Sequence, residues 1–262
     1  MILAGTSNDD VKYLLSKRYE KDGYVLVDDL FILGLQNCKK SDVSFVVVCP
    51  ELIESDEAKD VVKYYSSHFK CYQISQKVFS RLSSKENCVG IMVLTKIRNN
   101  KDFLTKSSPL ILVCDGLEIS GNIGTIFRTA ESVKVDGIIF TNCKARVCDD
   151  KVVRASRGMI FNVPFVIEND IDKVIKDLQI NNIRKVVCEP EQGIDFKEFD
   201  YNGGVAIVVG SERYGVNEIW FKENSEYIKI PMYGEMDSLN VGVATSLVLY
   251  EAIYSRKKWV II

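Results

Sequence analysis

Several short stretches of this sequence carry residues whose types and spacing could do chemistry. In SGNIGTIFRTA, Gly121 and Gly124 flank Asn122 at a helix start, and Arg128 follows about one turn in. Free N–H groups at such a start favour an anion, and glycine lets a ligand approach the backbone closely. Arg128 could grip phosphate or carboxylate in a bidentate fork. The plainer readings are an ordinary turn into a helix and a surface ion pair with Glu131. The full G-x-G-x-x-G spacing is absent, so a dinucleotide fingerprint fits poorly. In KVVRASRGMIF, Arg154 and Arg157 lie three apart on one helix face before Gly158, as a basic patch or a solvated face. In GVAIVVGSERYGV, Gly210 lets the chain leave a strand sharply and presents Glu212, as a helix cap or a site group.

The last such stretch, IPMYGEMDSLNVGVAT, runs from Ile230 to Thr245. Ser238 suits an N-cap and Asp237 suits a helix N-terminus. Gly242 then falls inside the helix, where glycine costs about 1 kcal/mol against alanine, so something should pack closely there. The helix, from about Leu239 to Lys257, is apolar nearly all round. Such a helix should be buried on more than one side, against the sheet and against a second subunit.

The elements that must position these residues alternate between strand and helix. From residue 110 the strands are LILVCD, DGIIFT, VPFVI, RKVVCEP, GVAIVVG and YIKIP. Near-continuous apolar strands separated by helices predict an α/β fold with a parallel sheet covered on both faces. Its ligand site belongs at the C-terminal ends of the strands. Residues 1–100 form a smaller β/α unit, with a helix capped by Ser7, strands YVLVDD, SFVVVCP, CYQIS and VGIMVLTK, and a helix in EAKDVVKYYSSH. KIRNNKDFLTKSSP, polar, basic and closed by proline, reads as the boundary, with 101–109 as linker and 110–262 as the larger domain.

Composition excludes several classes. Of 262 residues, 47% are apolar and 27% charged, an ordinary globular balance. No run approaches the ~18 apolar residues of a membrane span, and MILAGTSNDD turns polar too soon for a signal peptide, so a soluble cytoplasmic protein with no membrane partner is expected. Eight cysteines without a C-x-x-C pair, and one histidine, His68, give no zinc spacing. No metal is expected, and the thiols read as reduced and structural. The net charge of −2 draws no nucleic acid by itself, though a local basic patch would suffice.

Taken together and in order, NIGTIFRTA (122–130), IVVGSERYGV (207–216) and IPMYGEMDSLNVGVA (230–244) resemble the three motifs of the SpoU/TrmH RNA ribose 2'-O-methyltransferases, members of the knotted SPOUT superfamily. The N-terminal region resembles the L30e-like substrate-recognition domain that many of them carry. RASRGMIFNVPF looks closest to the thiostrepton/nosiheptide-resistance branch, which methylates an adenosine of large-subunit rRNA. The resemblance implies a deep trefoil knot at the C-terminus, S-adenosyl-L-methionine as cofactor, RNA as substrate and a homodimer. It carries catalytic positions to Asn122, Arg128, Glu212, Ser238 and Asn240. Cofactor positions fall on Val209, Gly210, Ser211, Ile230, Pro231, Met232, Leu239 and Asn240, and RNA-binding positions on Arg128, Arg154 and Arg157.

This sequence departs from the family pattern twice: Arg213 replaces the middle glycine of the second motif, and Gly242 stands where serine is common. Family proposals make the motif-one arginine the base. A guanidinium, with a pKa above about 12, suits a clamp on phosphate and alkoxide charge better. Other readings are a tRNA 2'-O-methyltransferase, a catalytically silent rRNA-binding protein, and a nucleotide-binding α/β enzyme using GNIG.

Overall fold

The structure, a computed structural model, describes residues 1–83, 88–97, 99–191, 193–211, 213–222 and 224–258. The chain divides into two compact units, Met1–Arg98 with Cys148–Phe161, and Asn99–Val147 with Asn162–Ile262.

The first unit holds β1 (Ile2–Leu3), α1 (Asp9–Leu15), β2 (Tyr24–Val27), α2 (Leu30–Gly34), α3 (Gln36–Lys39), β3 (Asp42–Val48), α4 (Asp56–His68), β4 (Cys71–Gln73), α5 (Gln76–Leu82) and β5 (Ile91–Lys96). Its sheet runs β1-β4-β3-β5-β2, parallel from β1 to β3 and antiparallel around β5. Ser55 caps α4 by accepting the Ala58 N–H at 3.1 Å, and Asp56 and Glu57 occupy the positive end of its dipole. α4 then buries Ala58, Val61 and Tyr65. The expected cap at Ser7 moves by one residue: the side chain of Asn8 accepts from both the Asp10 and Val11 amides. One carboxamide oxygen thereby serves two orphan donors.

The second unit is built on an all-parallel sheet in the order β10-β12-β9-β11-β6-β7-β8. In chain order its elements are β6 (Leu110–Asp115), α6 (Ser120–Ser132), β7 (Gly137–Thr141), β8 (Phe165–Ile167), α8 (Ile171–Ile180), β9 (Arg184–Cys188), β10 (Ile194–Asp195), β11 (Val205–Val209), β12 (Ser225–Lys229) and α9 (Val241–Lys258). The strands predicted from apolar runs are all present; the two-residue β10 carries no such signal. α8 covers one face of the sheet, packing Val174 and Leu178 against Ile111, Val113, Val187 and Val208. α6 and α9 pack on each other.

Two expectations change. The stretch read as linker contributes to this core, because Phe103 and Leu104 sit on a single 3-10 turn with their side chains buried. A helix between β7 and β8, α7 (Asp150–Ala155), belongs to the first unit. There the chain at Gly158 presses on Ile32 and Leu35, so residues 110–262 are not one continuous domain. α9 buries Val241, Thr245, Val248, Leu249 and Ala252 on one side only. Val243, Leu247, Tyr250 and Tyr254, on its other side, are exposed in the single chain.

Candidate active site

The C-terminal ends of β9 and β11, with the chain that follows β12, enclose a cavity of about 290 Å³ in the second unit. Val209, Gly210, Ser211, Ile230, Met232, Ser238 and Leu239, all named from the sequence, line it together. Pro231 and Asn240 do not. Sequence reasoning passed over Cys188, Glu189 and Pro190, which complete the wall beside β9. RKVVCEP was read as a strand, and the strand-end rule applied to its last residues would have found them. Val241 and Ala244, from the first turn of α9, add apolar lining, and Asp237 adds a second carboxylate to that of Glu189. Burial pushes the Cys188 thiol up to about 11, and the neighbouring Glu189 charge adds to the rise.

The loop after β11 is fixed by its own hydrogen bonds. Ser211 and Gly215 exchange backbone bonds at 2.9 and 3.0 Å, and Ser211 Oγ accepts the Tyr214 N–H at 3.0 Å. A side chain at Gly210 would place its Cβ 2.1 Å from the Gly215 carbonyl carbon, so only glycine permits this closure. Asp115, buried at the end of β6, holds the far side of the loop. One carboxylate oxygen accepts the Asn217 N–H at 2.8 Å, and the other accepts the Thr141 hydroxyl at 2.7 Å. Sequence reasoning missed Asp115, although it ends the strand LILVCD. Glu212 lies outside the described residues.

The start of α9 is capped by Asn240, not by Ser238. Asn240 Oδ1 accepts the Gly242 N–H at 3.0 Å, and its carbonyl accepts the Ala244 N–H at 2.9 Å. Ser238 is left facing the cavity. The Asn240 amide also donates to Asn122 Oδ1 at 3.1 Å, joining α9 to the first turn of α6. About two turns further on, Thr129 and Ser246 share a hydroxyl hydrogen bond at 2.8 Å. A Cβ at Gly242 would lie 3.2 Å from the Thr125 methyl, which is the close packing that an interior glycine implied.

Arg128 lies on the exposed stripe of α6 with Gly121, Thr125 and Ser132, at helical spacing. Its guanidinium has no hydrogen-bond or ion-pair partner among the described residues, while its carbonyl accepts the Ser132 hydroxyl at 2.8 Å. Glu131, its expected partner, is engaged by Lys134. Arg154 and Arg157 belong to the first unit, where they are engaged locally. Arg154 pairs with Asp150 at 2.7 Å and reaches Asp28 at 3.9 Å, and the Arg157 guanidinium lies 4.7 Å from the Phe31 ring centre. Among the described residues no group of His, Cys, Asp and Glu could hold a metal ion, and no helix is long and apolar enough to cross a membrane.

Comparison with known proteins agrees with this geometry. A TrmH family tRNA/rRNA methyltransferase of Staphylococcus aureus (strain COL) is 36% identical over 146 residues, which cover 56% of this chain and 59% of that protein. The match thus spans about three fifths of that relative's length. Among solved structures, an AdoMet-bound rRNA methyltransferase from Sinorhizobium meliloti shares the fold with a TM-score of 0.81 at 21% identity, covering 95% of this chain and 97% of that one. An RNA 2'-O ribose methyltransferase has a TM-score of 0.76 at 25% identity, covering 98% and 99%. A TrmH/SpoU tRNA modifying enzyme from A. aeolicus reaches only 0.52 at 26% identity, covering 60% of this chain and 80% of that one. The SpoU rRNA Methylase family model matches residues 109–250, more than half of the chain. The cavity, its two loops and the α6 terminus tied to them are therefore those of a protein that belongs to the SpoU rRNA methylase family.

Proposed function

We propose that this protein uses S-adenosyl-L-methionine to methylate the 2'-hydroxyl of a ribose in RNA, and that its target is large-subunit rRNA. The observation that carries the reading is convergence. The loops of the second and third motifs line one cavity, and the Asn240–Asn122 bond brings the first motif to its edge. The cavity suits the cofactor. Val209, Ile230, Met232, Leu239 and Val241 offer apolar walls to an adenine ring, and Glu189 and Asp237 offer negative charge to the ammonium and sulfonium cations.

The cofactor supplies an electrophilic methyl group, so the protein has only to position the attacking hydroxyl and manage one proton. Arg128, exposed and uncommitted on α6, clamps the target nucleotide's phosphate and stabilises alkoxide charge developing on the 2'-oxygen. A guanidinium stays protonated at any working pH, so it donates hydrogen bonds rather than taking the proton. The proton leaves through that phosphate or a water. Asn122 orients the ribose, with its amide held by Asn240, and Ser238 orders the loop over the cavity. Glu212 is assigned to fixing Arg128 or the loop backbone.

The reading includes a trefoil knot formed by the loop after β11 and the chain after β12. It also includes a homodimer through the C-terminal domain, for which the exposed Val243, Leu247, Tyr250 and Tyr254 side of α9 is the matching surface, and a cytoplasmic location. The N-terminal unit is the L30e-like RNA-recognition domain. It favours rRNA over tRNA, because the rRNA methyltransferase fold covers nearly the whole chain and the tRNA enzyme covers 60% of it. Thiopeptide resistance is the phenotype to score.

One experiment tests the reading. The protein is incubated with labelled cofactor and either tRNA or large-subunit rRNA, and ribose methylation is mapped by resistance to alkaline cleavage. Label confined to rRNA is expected. Label confined to tRNA would overturn the target, and RNA binding without transfer would leave a silent RNA-binding protein.

A further inference from the structure

The loop that closes the cofactor cavity has a second side. Its inner edge, Gly210, Ser211, Gly215 and Val216, lines the cavity. Its tip turns Arg213 and Tyr214 outward, and Tyr214 is 64% exposed. The tip is not loose, because the Ser211–Gly215 bridge and the Ser211 Oγ bond to the Tyr214 amide set its conformation. Lys144, from the loop after β7 in the same unit, brings its ammonium 4.5 Å from the Tyr214 ring centre. The Arg213 guanidinium lies 5.3 Å from the same centre. Two cations from separate loops are thus gathered on one exposed aromatic ring. Among the described residues the acid paired with this cluster is Glu118, on Lys144, which leaves the Arg213 charge unmatched there.

Resting on the methyltransferase reading above, we propose that Lys144, Arg213 and Tyr214 form the seat for a phosphodiester of single-stranded RNA beside the target nucleotide. Charge complementarity selects the occupant: a chain of net charge −2 needs a local cationic site to engage RNA. Arg154 and Arg157, the basic residues expected to do so, are engaged in the first unit. Position selects it too. The seat and the cavity are two faces of one five-residue loop, Ser211–Gly215, so a strand held on the tip lies next to the methyl donor. The seat is also where this chain departs from the family motif, since Arg213 replaces a glycine. Tyr214 holds the two cations in place, so less side-chain freedom is lost when phosphate arrives.

The test is filter binding of in vitro transcribed large-subunit rRNA across a salt series. It compares wild type, the double variant Lys144→Ala/Arg213→Ala, the variant Tyr214→Leu and the conservative pair Lys144→Arg/Arg213→Lys. S-adenosylhomocysteine affinity is measured on each by calorimetry. The double variant is expected to bind RNA about tenfold more weakly, with the log–log salt slope reduced by about 0.7, the contribution of the one lost phosphate contact. Tyr214→Leu falls between it and wild type, S-adenosylhomocysteine affinity stays unchanged, and the conservative pair restores binding. Wild-type RNA affinity and salt slope in the double variant would overturn the seat while leaving the enzyme reading standing. If S-adenosylhomocysteine affinity falls as well, rescue by the conservative pair upholds the seat, and failure of rescue overturns it. A wild-type protein that neither binds nor methylates RNA would overturn the reading on which the seat rests.

Discussion

Asn240 and Asn122, at opposite ends of the second unit's sequence, meet through a 3.1 Å amide hydrogen bond. The same Asn240 side chain caps α9 by accepting the Gly242 amide. One residue therefore starts a helix and holds Asn122 on another. The two roles separate by substitution. Asn240→Asp keeps the capping oxygen but loses the donor to Asn122, whereas Asn240→Ala loses both. Ala should lower stability by about 1 kcal/mol and Asp by much less. Both should reduce methyl transfer on the order of 10²-fold through misplacement of Asn122. Thermal unfolding and single-turnover transfer check the pair; full activity in Asn240→Asp would remove Asn122 from the mechanism.

Gly210 has no room for a methyl group, since a Cβ there meets the Gly215 backbone at 2.1 Å. Gly210→Ala must open the loop, at a cost of about 1–3 kcal/mol for overpacking. The loop lines the cavity, so S-adenosylhomocysteine affinity should fall at least tenfold by calorimetry. Wild-type affinity would mean that the loop does not contact the cofactor.

Asp115 supports that loop from below. Asp115→Ala leaves the Asn217 amide and the Thr141 hydroxyl without their partner. It should destabilise the fold by about 1–3 kcal/mol. Amide hydrogen exchange at Asn217 should accelerate more than at β7, and cofactor affinity should drop with it. Equal acceleration in both places would point to global loosening instead.

Arg128→Ala should abolish methyl transfer and leave cofactor affinity nearly intact, because Arg128 does not line the cavity. A large loss of cofactor binding would sink the assignment. If Arg128→Lys retains activity, its pH–rate profile tests the base role. A lysine base would titrate near 10.4 and shift the profile, whereas a clamp would leave the profile in place.

Cys188 reports occupancy of the cavity. Its thiol, pushed up to about 11 by burial, is neutral at pH 8. Below that value the thiolate fraction rises about tenfold per pH unit, so alkylation by iodoacetamide should be slow at pH 8 and quicken toward pH 10. S-adenosylhomocysteine should protect Cys188 at every pH, as read by mass spectrometry. Rapid labelling at pH 8 would contradict the burial.

Much of this was legible before any coordinate. Apolar runs such as LILVCD and GVAIVVG, alternating with helices, point to central strands of a parallel sheet, because each residue in them must be buried on one face or the other. Once the sheet is parallel, its C-terminal ends are where a site belongs, and Val209, Gly210, Ile230 and Leu239, named on that argument together with the motif resemblance, line one cavity. Gly242 likewise announced the close approach of α6. Arg154 and Arg157 mark what sequence leaves open, because a local basic patch looks the same whether its cations face RNA, Asp150 or the ring of Phe31. Phe103 and Leu104 were hidden in a polar stretch whose composition outweighed two apolar residues.

By itself the sequence determined the α/β alternation, the strand ends that line the cavity and the residues of the three motifs. These follow from local periodicity and from the conformational demands of glycine and proline. Only the tertiary structure decided that Asn240 rather than Ser238 caps α9, that residues 148–161 join the first unit, and that Cys188–Pro190 complete the cavity. Each of those outcomes is a choice between partners that are locally equivalent. Ser238 and Asn240 both carry a capping oxygen, and what separates them is Asn122, 118 residues away in the chain. Short-range propensity cannot weigh a hydrogen bond whose other half is supplied by a distant helix.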